Sequence, residues 1–95
     1  ANVAEAARLP CYAGTMFELG IGAVASGHLA SSSPAFSLGG EFAEGPFRVS
    51  NDILAERLEL KNGCFEVPSG PGLGIEVDEK QLAKFAKMTT KVEFR

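Results

Sequence analysis

The pattern of apolar and polar residues predicts a helix, a strand and a second helix in the first third of the chain. Residues 2–9 are good helix formers with one apolar face, and Pro10 ends this helix. Residues 11–17 form a short apolar and aromatic run, which is typical of a strand buried on both faces of a parallel sheet. Small residues dominate 21–33, where apolar positions recur at helical spacing until Pro34. The order helix, strand, helix is typical of an α/β fold.

The middle of the chain changes character. The stretch 36–49 is rich in Gly, Pro and Phe and predicts an irregular loop, followed by a short helical turn at 51–56. Apolar residues then alternate with polar ones on either side of Asn62-Gly63. Because Asn-Gly between alternating runs is the strongest local hairpin signal, we predict a β-hairpin over 57–68.

The last part of the chain predicts one more helix. A glycine- and proline-rich connection at 69–74 leads to Asp78, and Gln81 follows at the spacing of a capping box. These residues predict a helix over 78–88. A final short strand is predicted at 92–94.

Composition narrows the classes of partner. The net charge is −3 and the basic residues are scattered, so we expect no nucleic-acid partner. No apolar run has the roughly 18 residues of a membrane span, so no membrane partner is expected either. Cys11 and Cys64 are expected to be free, buried thiols in a reducing cytoplasm. The first residues carry no initiating Met or signal pattern, and we expect a chain entered partway through a helix.

Glu18 is the first candidate for chemistry. It follows the predicted strand, and Gly20 and Gly22 bracket the turn into the next helix. In parallel α/β folds, ligands bind beyond the carboxyl ends of the strands. A carboxyl group there is expected to be partly desolvated, which raises its pKa and lets it donate a hydrogen bond while protonated. The alternative is that Glu18 caps the following helix, and the residues leave both readings open.

Other motifs give weaker signals. Residues 20–25 match a dinucleotide-binding fingerprint, and Glu41 lies at the distance that this motif expects. Against it, Glu18 would place a negative charge beside the pyrophosphate. His28 has no second ligand at metal-binding spacing, so we expect a packed or capping histidine. Four further acidic residues are expected to be solvated: Asp52, Glu56, Glu59 and Glu66.

Two longer motifs resemble a known family. Residues 14–22 read Gly-Thr-Met-Phe-Glu-Leu-Gly-Ile-Gly and residues 67–75 read Val-Pro-Ser-Gly-Pro-Gly-Leu-Gly-Ile. Together they strongly resemble the mandelate racemase and muconate lactonizing (muconate cycloisomerase) subgroup of the enolase superfamily. The resemblance implies the C-terminal fragment of a (β/α) barrel, with helix 7, strand 8 and helix 8 in residues 1–36. Residues 37–95 would then return to the capping domain with the hairpin and the last helix.

The same resemblance implies a magnesium-dependent isomerase or lyase. Such enzymes abstract a proton α to a carboxylate and stabilise the enolate, in racemisation, epimerisation, dehydration or cycloisomerisation. Glu18 matches the catalytic glutamate of strand eight, and Thr15, Met16 and Phe17 match the substrate-binding strand before it. The family's metal-ligating carboxylates and catalytic lysines have no counterpart here. We therefore expect no metal ligand and no cofactor in this chain alone, and no activity.

The resemblance also implies the partners. The intact enzyme would bind a small carboxylate substrate, and this chain would pack against the remaining barrel segment. The alternative is a stand-alone, non-catalytic protein. Its unpaired strand edges around Met16 would favour a homo-oligomer. A dinucleotide-binding fragment is the second alternative.

Overall fold

The first two helices of the computed structural model, which describes residues 1–41 and 48–86, lie close to their predicted positions. Helix α1 spans Asn2–Ala6 and is shorter than predicted, since the chain turns at Arg8 with a φ of 54°. Helix α2 spans Gly20–Ser31. Its buried positions carry small residues, which allow neighbouring segments to approach closely: Gly20, Ala23, Val24 and Gly27.

The predicted strand over 11–17 is wrong for most of its length. Ala13 forms an isolated parallel bridge with Gly40, and the N–H of Glu41 donates to the carbonyl of Ala13 at 2.9 Å. Among the described residues this is the last pairing of the run, and Met16 is 82% exposed. A strand buried in a parallel sheet needs neighbours on both edges, and the described residues supply one.

Helix α2 is therefore a crossover between two parallel segments. The stretch predicted as an irregular loop contains Gly40, which takes part in the bridge. The division into residues 1–36 and 37–95 stays a prediction, and the bridge joins residues on both sides of it.

An antiparallel bridge between Leu54 and Val77 replaces the helical turn predicted at 51–56. Next to it, the N–H of Asp78 donates to the carbonyl of Ile53 at 2.8 Å. Residues 53–54 are thus tied to the residues that precede the last helix.

The hairpin forms within the predicted range 57–68. Strand β1, Leu60–Lys61, pairs antiparallel with strand β2, Cys64–Phe65. Asn62 and Gly63 make the turn with φ values of 53° and 77°. Both residues have the left-handed backbone conformation that a type I′ turn requires. Asn and Gly adopt this conformation readily, which explains why they occupy the turn.

Helix α3 spans Glu79–Phe85. The side chain of Asp78 accepts hydrogen bonds from the backbone N–H groups of Lys80 and Gln81, so it caps the helix as its position predicts. The predicted end of this helix and the strand at 92–94 lie outside the described residues.

The chain buries few large side chains and exposes a large surface. Its accessible area is 7367 Å², whereas a folded monomer of this mass exposes about 5200 Å².

Within 1–41 and 48–86 there is no closed barrel and no helix long and apolar enough to cross a membrane. The buried hydrophobic residues of these ranges are Ala13, Ala23, Val24, Ala35 and Leu54.

Candidate functional site

The Glu18 carboxylate folds back onto the exposed loop between the parallel bridge and helix α2. The hydroxyl of Thr15 donates a hydrogen bond to Oε2 of Glu18. The N–H of Met16 lies 3.0 Å from both carboxylate oxygens. Three of the four predicted site residues therefore form one hydrogen-bonded turn.

These hydrogen bonds lower the pKa of Glu18 below its ordinary value of 4.5. The bond from the Thr15 hydroxyl is the largest cause, backbone N–H groups add to it, and desolvation opposes them weakly. The prediction of a desolvated carboxyl with a raised pKa is wrong for this chain, because the side chain is exposed to solvent. At neutral pH Glu18 is ionised and accepts hydrogen bonds.

Phe17 has an unusual backbone conformation and an exposed ring. Its φ of 61° is left-handed, which is rare for a bulky side chain. The ring is 55% exposed, and the guanidinium carbon of Arg48 lies 5.6 Å from its centroid, within reach of a cation–π contact. Met16 and Phe17 thus present apolar surface beside the Glu18 carboxylate, and the half-buried Thr15 anchors it.

Helix α2 is capped from a distant part of the chain. Its N-cap residue, Leu19, makes no side-chain cap hydrogen bond. Instead the N–H of Gly20 donates to Oδ2 of Asp52 at 2.9 Å, and the N–H of Ile53 donates to Oδ1 at 2.6 Å. The prediction that Asp52 is merely solvated is wrong, and the alternative left open for Glu18, that it caps helix α2, is not what the structure shows. The sequence carries no local signal for a cap 32 residues away.

Gly20 and Gly22 are explained by close packing. A Cβ atom at Gly20 would lie 2.6 Å from Cγ of Leu54 and 2.8 Å from Oδ2 of Asp52. A Cβ atom at Gly22 would lie 2.6 Å from Cβ of Glu18. The space at the start of the helix, where a dinucleotide pyrophosphate would bind, holds the Asp52 carboxylate, and this argues against the dinucleotide alternative.

His28 is packed, as expected. Its Nε2 lies 3.1 Å from the carbonyl oxygen of Leu73. A carbonyl only accepts, so Nε2 carries the proton in this contact. The bond ties helix α2 to the glycine- and proline-rich connection at 69–74.

The other ligand-type residues do not assemble a metal site. No three His, Cys, Asp or Glu side chains in 1–41 and 48–86 are grouped so that they could hold a metal ion. The residues described therefore do not fit a magnesium ion. Cys11 is half-buried and Cys64 is exposed, and both are free, so the predicted burial of Cys64 is wrong.

Known proteins resemble the chain over most of its length. The model of the enolase C-terminal domain-like family matches residues 1–81. Muconate cycloisomerase 1-1 of Acinetobacter lwoffii is 39% identical over 87 residues, which cover 92% of this chain and 23% of the relative. A chloromuconate cycloisomerase of Cupriavidus pinatubonensis is 36% identical over 90 residues, which cover 95% of this chain and 24% of the relative.

A solved structure agrees with these matches. The crystal structure of muconate lactonizing enzyme from Klebsiella pneumoniae superposes with a TM-score of 0.84 at 38% sequence identity. The match covers 92% of this chain and 24% of that one. The chain therefore spans about a quarter of the length of the relatives it matches.

Proposed function

Because the chain belongs to the enolase C-terminal domain-like family, we propose that it supplies the C-terminal part of a muconate-cycloisomerase-like enzyme. The observation that carries this proposal is the 39% identity to a muconate cycloisomerase across 92% of the chain. The proposed substrate is a small carboxylate of the muconate or chloromuconate type. The proposed reaction is a cycloisomerisation in which a metal-stabilised enolate is formed.

Glu18 is the proposed catalytic residue of this chain. The loop from Thr15 to Phe17 holds its carboxylate and offers apolar surface on Met16 and Phe17 for the substrate. The remaining barrel, packed against this loop, would desolvate Glu18. Desolvation raises the pKa of a carboxyl group, which would bring Glu18 toward the protonated form that donates a hydrogen bond or a proton.

A divalent metal, proposed to be magnesium, stabilises the negative charge of an enolate when it is bound. The described part of this chain lacks a ligand set for it. We therefore assign the metal ligands, and the acid–base group that exchanges the proton α to the carboxylate, to the rest of the enzyme. On this proposal the isolated chain has no turnover.

Reconstitution tests the proposal. A muconate cycloisomerase prepared without the region that this chain matches is mixed with the chain and magnesium chloride. Loss of the conjugated-diene absorbance of cis,cis-muconate reports turnover. We expect turnover from the mixture and none from either part alone. A stable complex that binds magnesium but converts neither muconate nor chloromuconate would contradict the proposal.

A matched pair of variants isolates the role of Glu18 in the same assay. Glu18→Gln is expected to lower turnover by about 100-fold, the scale of a lost general acid. Glu59→Gln removes the same charge from an exposed side chain that pairs with Lys61, and it should leave turnover unchanged. Equal activity of both variants would exclude Glu18 from the chemistry.

A second candidate function is a non-catalytic chain that self-associates. The observation in its favour is the accessible area of 7367 Å². It exceeds the area expected of a folded monomer of this mass, and the excess is larger than the roughly 800 Å² that each partner buries in a standard interface. Light scattering over a range of concentrations distinguishes the two states. A stable monomer would rule out this candidate.

A further inference from the structure

The carboxylate of Asp52 joins two distant segments. One oxygen accepts the N–H of Gly20 at 2.9 Å, at the first turn of helix α2. The other accepts the N–H of Ile53 at 2.6 Å, which fixes the carboxylate relative to its own backbone. Asp52 is half-buried, and each of its oxygens accepts one of these two hydrogen bonds.

The segment that carries Asp52 is itself held in place. Leu54 is 7% exposed and bridges antiparallel to Val77, and the N–H of Asp78 donates to the carbonyl of Ile53 at 2.8 Å. Leu54 also packs against Gly20 so closely that a Cβ atom does not fit between them. The position of Asp52 is therefore set by the second half of the chain.

Glu18 packs on the first turn of helix α2, to which Asp52 is hydrogen-bonded. Its Cβ and Cγ atoms would lie 2.6 and 2.9 Å from a Cβ atom built on Gly22, so the side chain packs directly on the first turn of helix α2. The position of that turn therefore bears directly on the side chain of Glu18.

We propose that Asp52 is a positioning residue for Glu18, which it acts on by fixing the first turn of helix α2. The consequence for catalysis rests on the proposed function, whereas the positioning itself is a property of this chain. A merely stabilising cap would not change the environment of the Glu18 carboxylate in a chain that remains folded.

Two effects of removing Asp52 act on Glu18 in opposite directions. Loss of the negative charge of Asp52 can act on the pKa of Glu18 only by lowering it, because a negative charge disfavours ionisation of a carboxyl group. Loss of the ordered contacts with Thr15 and Met16 would raise this pKa toward its ordinary value, because those contacts are what lower it. The sign of the change therefore separates positioning from simple electrostatics.

Carboxyl carbon NMR titrations of the full chain measure this sign. We expect Asp52→Ala to raise the pKa of Glu18. Asp52→Asn keeps one acceptor oxygen, which can serve Gly20 but not Ile53 as well, so it should raise this pKa by less than Asp52→Ala does. Glu56→Ala removes the same charge from an exposed side chain and should cause no rise. An unchanged or lowered pKa in Asp52→Ala, with helical circular dichroism retained, overturns the inference.

A second readout covers the case in which Asp52→Ala unfolds the chain. The variant Asp52→Ser is then used in place of Asp52→Ala. Its side chain is too short for the hydroxyl to accept from both N–H groups. We expect the amide proton of Gly20 to move upfield in Asp52→Ser and not in Asp52→Asn. Equal Gly20 shifts in both variants, with no rise in the pKa of Glu18 in Asp52→Ser, count against positioning.

The reconstituted enzyme shows the catalytic consequence. There Asp52→Ala should lower kcat by about tenfold, as a small misplacement of a reacting group does, with KM little changed. Asp52→Asn, which keeps one of the two hydrogen bonds, should recover part of the loss. If the parent chain gives no turnover, the proposed function fails, while the titration of the free chain still decides whether Asp52 positions Glu18.

Discussion

Replacing Gly20 with alanine would place a methyl group where the fold leaves no room for it. The new Cβ atom would lie 2.6 Å from Cγ of Leu54 and 2.8 Å from Oδ2 of Asp52. Leu54 cannot move away easily, because it is 7% exposed and its backbone bridges to Val77. The strain would fall on the contact between helix α2 and the Asp52 segment.

The net cost of Gly20→Ala follows from three contributions. Alanine is favoured over glycine in a helix by up to about 1 kcal/mol. Overpacking of a tight site costs about 1–3 kcal/mol. Disturbing a hydrogen bond to a charged acceptor, such as the one from Gly20 to Asp52, costs about 1.5 kcal/mol more. We expect a loss of about 2 kcal/mol in the free energy of unfolding.

Urea unfolding followed by far-ultraviolet circular dichroism measures this loss. Gly14→Ala is the matched control, since a Cβ atom there meets only Oε1 of Glu41 at 3.8 Å, an ordinary contact. The control should change the free energy of unfolding by no more than about 0.5 kcal/mol. A Gly20→Ala midpoint equal to that of Gly14→Ala, or above it, would refute the close approach at the start of helix α2.

Three further predictions concern single side chains. Thr15→Val should raise the pKa of Glu18 toward 4.5 in a carboxyl carbon titration, whereas Thr15→Ser keeps it lowered. The stabilisation from these bonds is present above the unfolded-state pKa and is lost as the pH falls through the lower folded value. Asp78→Ala should lose about 1 kcal/mol by urea unfolding, and Asp78→Asn much less; equal losses would contradict the cap. Asn62→Ala should cost about 1 kcal/mol because φ is positive there, and Asn62→Gly should be neutral; a neutral Asn62→Ala would contradict the type I′ turn.

The local elements could be predicted because their causes lie within a few residues. The Asn62-Gly63 turn requires two left-handed residues, and the sequence supplies the pair best suited to them. Asp78 caps helix α3 from the adjacent position. The family motif at 14–22 likewise identified the chain without any knowledge of its packing.

The surroundings of Glu18 could not be predicted in full, because they depend in part on contacts between residues that are far apart in the sequence. The role of Asp52 requires that the chain return to Gly20 after 32 residues, and no spacing rule predicts this. The predicted environment of Glu18 assumes a carboxyl group at the end of a strand in a parallel sheet. In this chain the carboxylate meets solvent and donors from Thr15 and Met16 instead, so the direction of its pKa shift is the opposite of the prediction.

The strand predicted over 11–17 failed for a related reason. An apolar run becomes a strand when neighbouring strands satisfy its backbone groups on both edges. The described residues offer one partner segment, and among them the pairing of this run reaches Ala13. The apolar character of Met16 and Phe17 is then left as exposed surface.

The parallel bridge between Ala13 and Gly40 also bears on how the chain folds. The bridge joins segments on either side of helix α2, so we expect it to form together with the docking of that helix. The hairpin at Asn62 closes over two residues and can form within microseconds. Refolding should therefore be limited by docking of helix α2, and substitutions at its fully buried Val24 should slow refolding, while substitutions in the hairpin mainly accelerate unfolding.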